Sequence, residues 1–340
     1  MALATVRLPG CSGGSGNYRP VTLSGFYSAQ SALAGSAGTC CLVSRLAGKT
    51  MSHTPFGTDR YVNAAGFRLH YVEAGEGYPL LLVPPSFATY RNWQRVAPGL
   101  AAHYRVLALD YVGTGDSDKP TRGFDYTPQE QSDVIAAFLD ALSIERAHLM
   151  GVSYGGTIVL NFAGRYPERT GKVVAIEGFI SVEMGLPGWS RLQSWAVSAP
   201  LIGDLFFAVV RSGLFNTRFA RHIAGPWWDE MSEGERQEWL AYVASEVRHA
   251  NRPGWGGIKR SLFERPDVDL RPDARRIRAP VLLLTGSRSP YREHIRPTLE
   301  FLRAEVPSAR IVEIEGGIHD LEWQKPQEVL RLTLEFLTEG

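Results

Sequence analysis

The residues Gly151-Val152-Ser153-Tyr154-Gly155 place a serine between two glycines in the spacing G-x-S-x-G. An apolar run at 148–152 leads into them, and a helical pattern over 154–166 follows. That strand–turn–helix setting is the context in which the motif marks a nucleophile elbow. The sharp turn holds Ser153 in a strained conformation, and the two small glycines let helix and neighbouring strand approach closely. The serine oxygen then stands at a helix N-terminus, where the dipole favours negative charge. A helix-capping serine in a glycine turn is the plainer alternative.

A serine hydroxyl needs a base to become a nucleophile. Of the eight histidines, His70 and His148 lie in strand patterns and His103 in a helix-to-strand connection. His222, His249 and His294 lie in helical or inserted stretches, and His53 in the leader. His319 follows the late apolar run 310–314 and a Gly316-Gly317 turn. The loop after such a strand opens where α/β sheets bind ligands, so His319 is the candidate base.

These side chains need a scaffold. Residues 60–63 and 67–73 read as two strands around a turn at Ala64-Ala65-Gly66, with period-2 alternation through Phe67, Leu69 and Tyr71. Short runs apolar on both faces recur at 80–83, 106–109, 148–152, 173–176, 281–285 and 310–314, the mark of strands buried inside a parallel sheet. Helical patterns fall between them, at 127–142, 154–166, 292–305 and 326–337. The first opens with Thr127, Pro128 and Glu130, which form a capping box. The alternation predicts an α/β fold with a mostly parallel sheet flanked by helices. Residues 179–262 break it. They hold helical patches at 203–210 and 233–247 and six of the eight tryptophans. A helical cap inserted between two strands is expected there, and two readings of its tryptophans stand side by side: two or more touch a ligand, or they are simply core. The core is then 58–178 and 263–340.

Composition narrows the classes. The chain has 340 residues, 44% hydrophobic and 21% charged, with net charge +1. That balance gives no electrostatic case for a nucleic-acid or membrane-surface partner. No apolar stretch reaches the roughly 18 residues of a spanning helix. Residues 1–50 contain no Asp or Glu, and Cys11, Cys40 and Cys41 all lie there. Residues 1–57 are therefore expected to be a leader: a transit peptide, a disordered tail, or sequence upstream of a start at Met51. A cytoplasmic location is expected, or organelle import if the leader is a transit peptide. The cysteine-free body excludes a thiol nucleophile and zinc–thiolate sites. No phosphate-loop, H-E-x-x-H or C-x-x-C pattern occurs. A small-molecule substrate is expected, with no cofactor and no metal. Oligomeric state is left open.

From about residue 58 onward the chain resembles the α/β-hydrolase fold family. Beyond the elbow, the resemblance rests on the turn Asp110–Asp118, on Tyr166-Pro167-Glu168-Arg169, and on His319 followed by Glu322 and Pro326. It implies an oxyanion hole from the amides of Ser86 and Tyr154, although Pro84-Pro85 stand where the family commonly has His-Gly. It also implies an acid. The usual position, in the loop after 281–285, holds Ser289. Glu177, directly after 173–176, resembles the acid placement of some haloalkane dehalogenases. The elbow residue is serine rather than their aspartate, so the resemblance transfers acid placement and not reaction. Asp320 is the weaker candidate acid, its side chain expected to point elsewhere. The implied function is a serine hydrolase of an ester, lactone or thioester through Ser153, His319 and Glu177. Carbon–carbon bond hydrolysis, cofactor-free perhydrolysis and a non-catalytic ligand binder are the alternatives.

Overall fold

The alternating segments around Ala65-Gly66 form a hairpin. β1 (Thr58–Ala64) and β2 (Phe67–Ala74) pair antiparallel from Thr58↔Glu73 to Ala64↔Phe67. Both turn residues have positive φ, 51° and 79°, which matches the twist of the flanking strands. In the computed structural model, which describes residues 54–180, 195–197, 199–263 and 269–339, the apolar runs become β3 (Pro79–Val83), β4 (Arg105–Asp110), β5 (Ala147–Val152), β6 (Thr170–Ile176), β7 (Val281–Gly286) and β8 (Ala309–Ile314). The sheet has eight strands in the order β1-β2-β4-β3-β5-β6-β7-β8. β2 pairs antiparallel with β4, and every later pairing is parallel. Chain order reverses at β3, which lies between β4 and β5. A ligand crevice is expected at the strand ends there.

Period-2 alternation assigns the two faces. Leu81, Leu107, Leu149, Val173 and Leu283 join one apolar cluster with α2 (Pro128–Ala141) and α3 (Tyr154–Arg165). Leu80, Val106, Met150, Val174 and Leu282 join the other, with α1 (Ala97–Ala101) and the C-terminal helix. The capping box of α2 forms as expected: Thr127 Oγ1 accepts from the Glu130 N–H, and the Glu130 carboxylate accepts from the Thr127 N–H.

β8 corrects one expectation. It was to be buried on both faces, yet Ile314 alone of its six residues is buried. It is the edge strand beyond β7, so no further strand covers it.

Between β6 and β7 lie α4 (Ile202–Arg211), α5 (Asn216–Ala224), α6 (Trp227–Glu230), α7 (Glu233–Val247) and α8 (Arg252–Phe263). Phe207, Trp227, Trp228, Trp239 and Val243 form a third apolar cluster, which reaches down to Ile318 and Trp323. The boundary at 262/263 is corrected, because it falls inside α8. That helix packs on the sheet side: Ile258 belongs to the α2–α3 cluster, and a Cβ at Gly254 would lie 2.0 Å from the Gly113 carbonyl. Of the tryptophans, Trp189 lies outside the described residues and Trp195 is exposed. After β7 come α10 (Arg292–Glu305), α11 (Leu321–Gln324) and α12 (Pro326–Thr338), with the short α9 (Arg271–Ala274) before it. The leader's upper bound is also corrected. Phe56 is buried and packs edge-on against Tyr90 at 6.0 Å. The leader assignment for residues 1–53 lies outside the described residues. Among the described residues, no helix is long and apolar enough to cross a membrane.

Candidate active site

Ser153 sits between β5 and α3 with φ 52° and ψ −117°. An L-residue pays for positive φ in steric strain, and such strain persists where the surroundings over-determine it. Here they do. The Ser153 N–H donates to the Ile176 carbonyl at 2.7 Å, and its own carbonyl accepts from the Thr157 N–H at 2.9 Å. A Cβ at Gly151 would lie 2.3 Å from the Gly155 carbonyl, and one at Gly155 would lie 2.2 Å from that of Val83. Both glycines of the motif are therefore required by close backbone approach.

Glu177 follows β6 directly and is fully buried, with φ 52°. Its N–H continues the ladder to the Leu284 carbonyl at 2.9 Å. Oε1 accepts from Thr285 Oγ1 and from the Gly286 N–H, both at 2.7 Å. Oε2 accepts from Ser289 Oγ at 2.5 Å and faces His319 Nδ1 at 3.2 Å. A buried carboxylate needs such donors to remain charged. Ser289, at the position where the resemblance implied an acid, thus donates to Glu177, one strand over. Thr285 and Ser289 were not recognised as donors in the sequence. Their role depends on β6 and β7 lying side by side, which no local pattern encodes.

His319 lies on the loop between β8 and α11. Burial works against its charged form, but the Glu177 hydrogen bond and the Asp320 and Glu177 charges outweigh this and raise its pKa above the ordinary 6.5. The Tyr291 ring meets it edge-on, centroids 4.6 Å apart.

Ser153 and His319 line one cavity of about 660 Å³, together with Ser86, Phe87, Trp239 and Trp255. The size is that of a small-molecule site. Of the insertion tryptophans, Trp239 and Trp255 line the cavity and also belong to the third apolar cluster. Ser86 follows Pro85, whose carbonyl accepts from the Tyr111 hydroxyl at 3.1 Å. Tyr154 opens α3 directly after Ser153; it is buried, and its hydroxyl donates to the Tyr126 carbonyl. No hydrogen bond joins the carboxyl of Asp320, the weaker candidate acid, to His319, whose Nδ1 faces Glu177. As the N-cap residue of α11, Asp320 lines the same cavity. Glu246, from α7, lines it too and drew no notice in the sequence. Among the described residues, no three His, Cys, Asp or Glu side chains are grouped to hold a metal ion.

Comparison with known proteins agrees with this architecture. A 2-hydroxymuconate semialdehyde hydrolase of Pseudomonas sp. (strain CF600) is 39% identical over 210 residues, covering 61% of this chain and 66% of that protein, just under two thirds. A 2-hydroxy-6-oxo-2,4-heptadienoate hydrolase of Pseudomonas putida is 32% identical over 210 residues, covering 56% of this chain and 75% of that one. The enol-lactonase of Burkholderia xenovorans LB400 shares the fold with a TM-score of 0.65 at 23% identity, covering 82% of this chain and 100% of the other. The family model for the alpha/beta hydrolase fold matches residues 78–326. The chain is an enzyme of the α/β-hydrolase family.

Proposed function

We propose that this enzyme is a serine hydrolase that cleaves an ester or lactone of a small, largely apolar molecule. The observation that carries the reading is the convergence of Ser153 and His319 on one cavity, with Glu177 bonded to the far side of His319. Glu177 occupies Nδ1, which leaves Nε2 to take the proton of Ser153 Oγ. The oxygen attacks the substrate carbonyl, and the amides of Ser86 and Tyr154 hold the resulting oxyanion. His319 returns the proton to the leaving oxygen. A water, deprotonated by His319, then releases the acid and restores Ser153.

A second reading is hydrolysis of a carbon–carbon bond, as the names of the two relatives above suggest. The cavity supports it less well. Among its described lining residues there is no Lys or Arg, while Asp320, Glu246 and Glu293 are there. A dienoate carries a carboxylate, for which this lining offers no guanidinium or ammonium partner. The test is turnover of a short neutral ester, a lactone and a 2-hydroxy-6-oxo-dienoate by wild type and by Ser153→Ala. Ester or lactone turnover, lost on the order of 10⁶-fold in the variant, supports the first reading. Turnover of the dienoate alone supports the second. Activity that survives in Ser153→Ala overturns both.

A further inference from the structure

Resting on the serine-hydrolase reading, we propose that the substrate carries a protonated amine, bound in the cavity between the carboxyl groups of Asp320 and Glu246 and against the surrounding aromatic rings. The first observation is an acid with nothing to bond. Asp320 is 8% exposed, and what is exposed faces the cavity. Its backbone carbonyl accepts from the N–H groups of Trp323 and Gln324. Its carboxyl caps nothing on α11, and no hydrogen bond to it is found among the described residues. A carboxyl held at the cavity wall without a protein donor offers its lone pairs to a donor carried by the substrate.

The second observation is another acid on the same cavity. Glu246 is 6% exposed. It accepts from the Thr89 N–H at 2.5 Å, from Thr89 Oγ1 at 3.0 Å and from Ser245 Oγ at 3.1 Å. Those three bonds fix its orientation and leave acceptor capacity, since a carboxylate offers about four lone-pair sites. The two acids share a neighbour. Tyr242, which also lines the cavity, has its hydroxyl pKa raised by burial and then by the charges of Glu246, Asp320 and Glu322. Its hydroxyl donates to Asn92 Oδ1 at 2.9 Å and so is not the missing donor.

No cation of the described wall answers these acids. Glu293 is paired with Arg296. Besides His319, the groups there able to take positive charge are His222 and His294. Burial raises the pKa of both carboxyls, Glu246 to about 8, with the Glu177 charge adding to the rise at Asp320 and the His319 charge opposing it. A bound cation reverses that effect, so acid and amine stabilise each other's charge. Trp239, Trp255, Tyr242 and Tyr291 line the same cavity, and an ammonium group is favoured beside aromatic rings.

The test compares 2-(dimethylamino)ethyl butanoate with its uncharged carbon isostere, 3-methylbutyl butanoate, at neutral pH. The two differ by one protonated nitrogen. The ratio of their kcat/KM values on one preparation is independent of the fraction folded. Wild type is expected to favour the amine by about 10-fold or more, as a charge-assisted hydrogen bond implies. Asp320→Asn is expected to remove most of that preference, and Glu246→Gln to reduce it independently. Turnover of both esters without preference overturns the amine subsite and leaves the hydrolase reading standing. A preference that persists in both variants overturns its placement. If neither ester turns over, tryptophan-fluorescence titration of Ser153→Ala decides: tighter binding of the amine, lost with Asp320→Asn, supports the subsite, and equal or absent binding overturns it.

Discussion

Replacing Glu177 by glutamine keeps its size and removes its charge, and the surrounding bonds determine the effect on catalysis. The carboxylate serves four partners: Thr285 Oγ1 and the Gly286 N–H on Oε1, Ser289 Oγ and His319 Nδ1 on Oε2. A glutamine has one oxygen for these two places. With its oxygen toward Gly286, its amide N–H₂ faces His319 Nδ1. The imidazole must then accept at Nδ1 and carry its proton on Nε2, where it cannot take the proton of Ser153. With the amide reversed, two N–H donors meet at Gly286 in a buried site, at a cost of about 1–3 kcal/mol. The first arrangement is therefore favoured, and it is the wrong tautomer for catalysis. A wrong tautomer in such a triad lowers kcat by about 10⁴, or roughly 5.5 kcal/mol at 1.36 kcal/mol per decade. Ser289→Asp alone should also impair the enzyme, because it sets a second carboxylate where Ser289 Oγ now donates to Glu177 at 2.5 Å. Combined with Glu177→Gln, the same substitution should recover part of the loss. The assay is kcat for the four members of this cycle on a neutral ester, with melting curves for each. A Glu177→Gln enzyme within 10-fold of wild type refutes the reasoning. A dead double variant with a native melting curve refutes the convergence of the two positions on His319.

The raised pKa of His319 predicts that kcat/KM rises with pH through a value above 6.5, since the base must be neutral. In Glu177→Gln the residual activity should titrate lower, and an unshifted limb would show that Glu177 does not set it. The same shift makes the His319–Glu177 pair fully stabilising below about pH 6.5, a contribution lost as pH rises through the higher folded value. Gly155→Ala should destabilise by about 2–3 kcal/mol and depress turnover, because its Cβ would meet the backbone carbonyls of Val83 and Pro84 at 2.2 and 2.4 Å; a native melting temperature would contradict this. Glu322 is fully buried, neither carboxylate oxygen meets a donor in bonding geometry, and burial followed by the Asp320 charge pushes its pKa to about 8. Folding then takes up a proton between the ordinary carboxyl value and pH 8, so stability falls as pH rises across that window. Glu322→Gln should flatten the fall in melting temperature from pH 5 to 8, and an unchanged slope would count against it.

Much of this architecture is readable in short stretches of chain. The runs at Leu80, Val106, Leu149, Val173 and Leu282 are apolar on both faces because helices cover both sides of the sheet, so burial leaves its mark within each strand. The elbow is legible because its glycines answer contacts to backbone close in sequence or in the next strand. β8 misled for a related reason. Its Ile311, Val312 and Ile314 look like a buried strand, but burial depends on having neighbours on both edges, and β8 has one. The reach of α8 onto the sheet was hidden likewise, since Gly254 and Gly257 meet Gly113 and Tyr126, residues more than 130 positions earlier.

On the proposed reading, in which Glu177 is the acid, the sheet redistributes a role among its strands. β6 and β7 pair in parallel with Ile176 opposite Leu284, so Glu177 and Thr285 are the next residues on adjacent strands. A carboxyl leaving β6 therefore points across the end of β7 toward the loop after β8, where His319 stands. The loop after β7 does not supply the acid, yet it is not idle. Thr285, Gly286 and Ser289 turn it into a socket of three donors for the Glu177 carboxylate. Those donors offset the burial of a charge that water cannot reach, and they fix which oxygen faces the imidazole. With the acid on β6, the hydroxyl of Ser289 stands where the resemblance places an aspartate and donates to Glu177. Ser289 is therefore the structural counterpart of Glu177 and not a gap in the site.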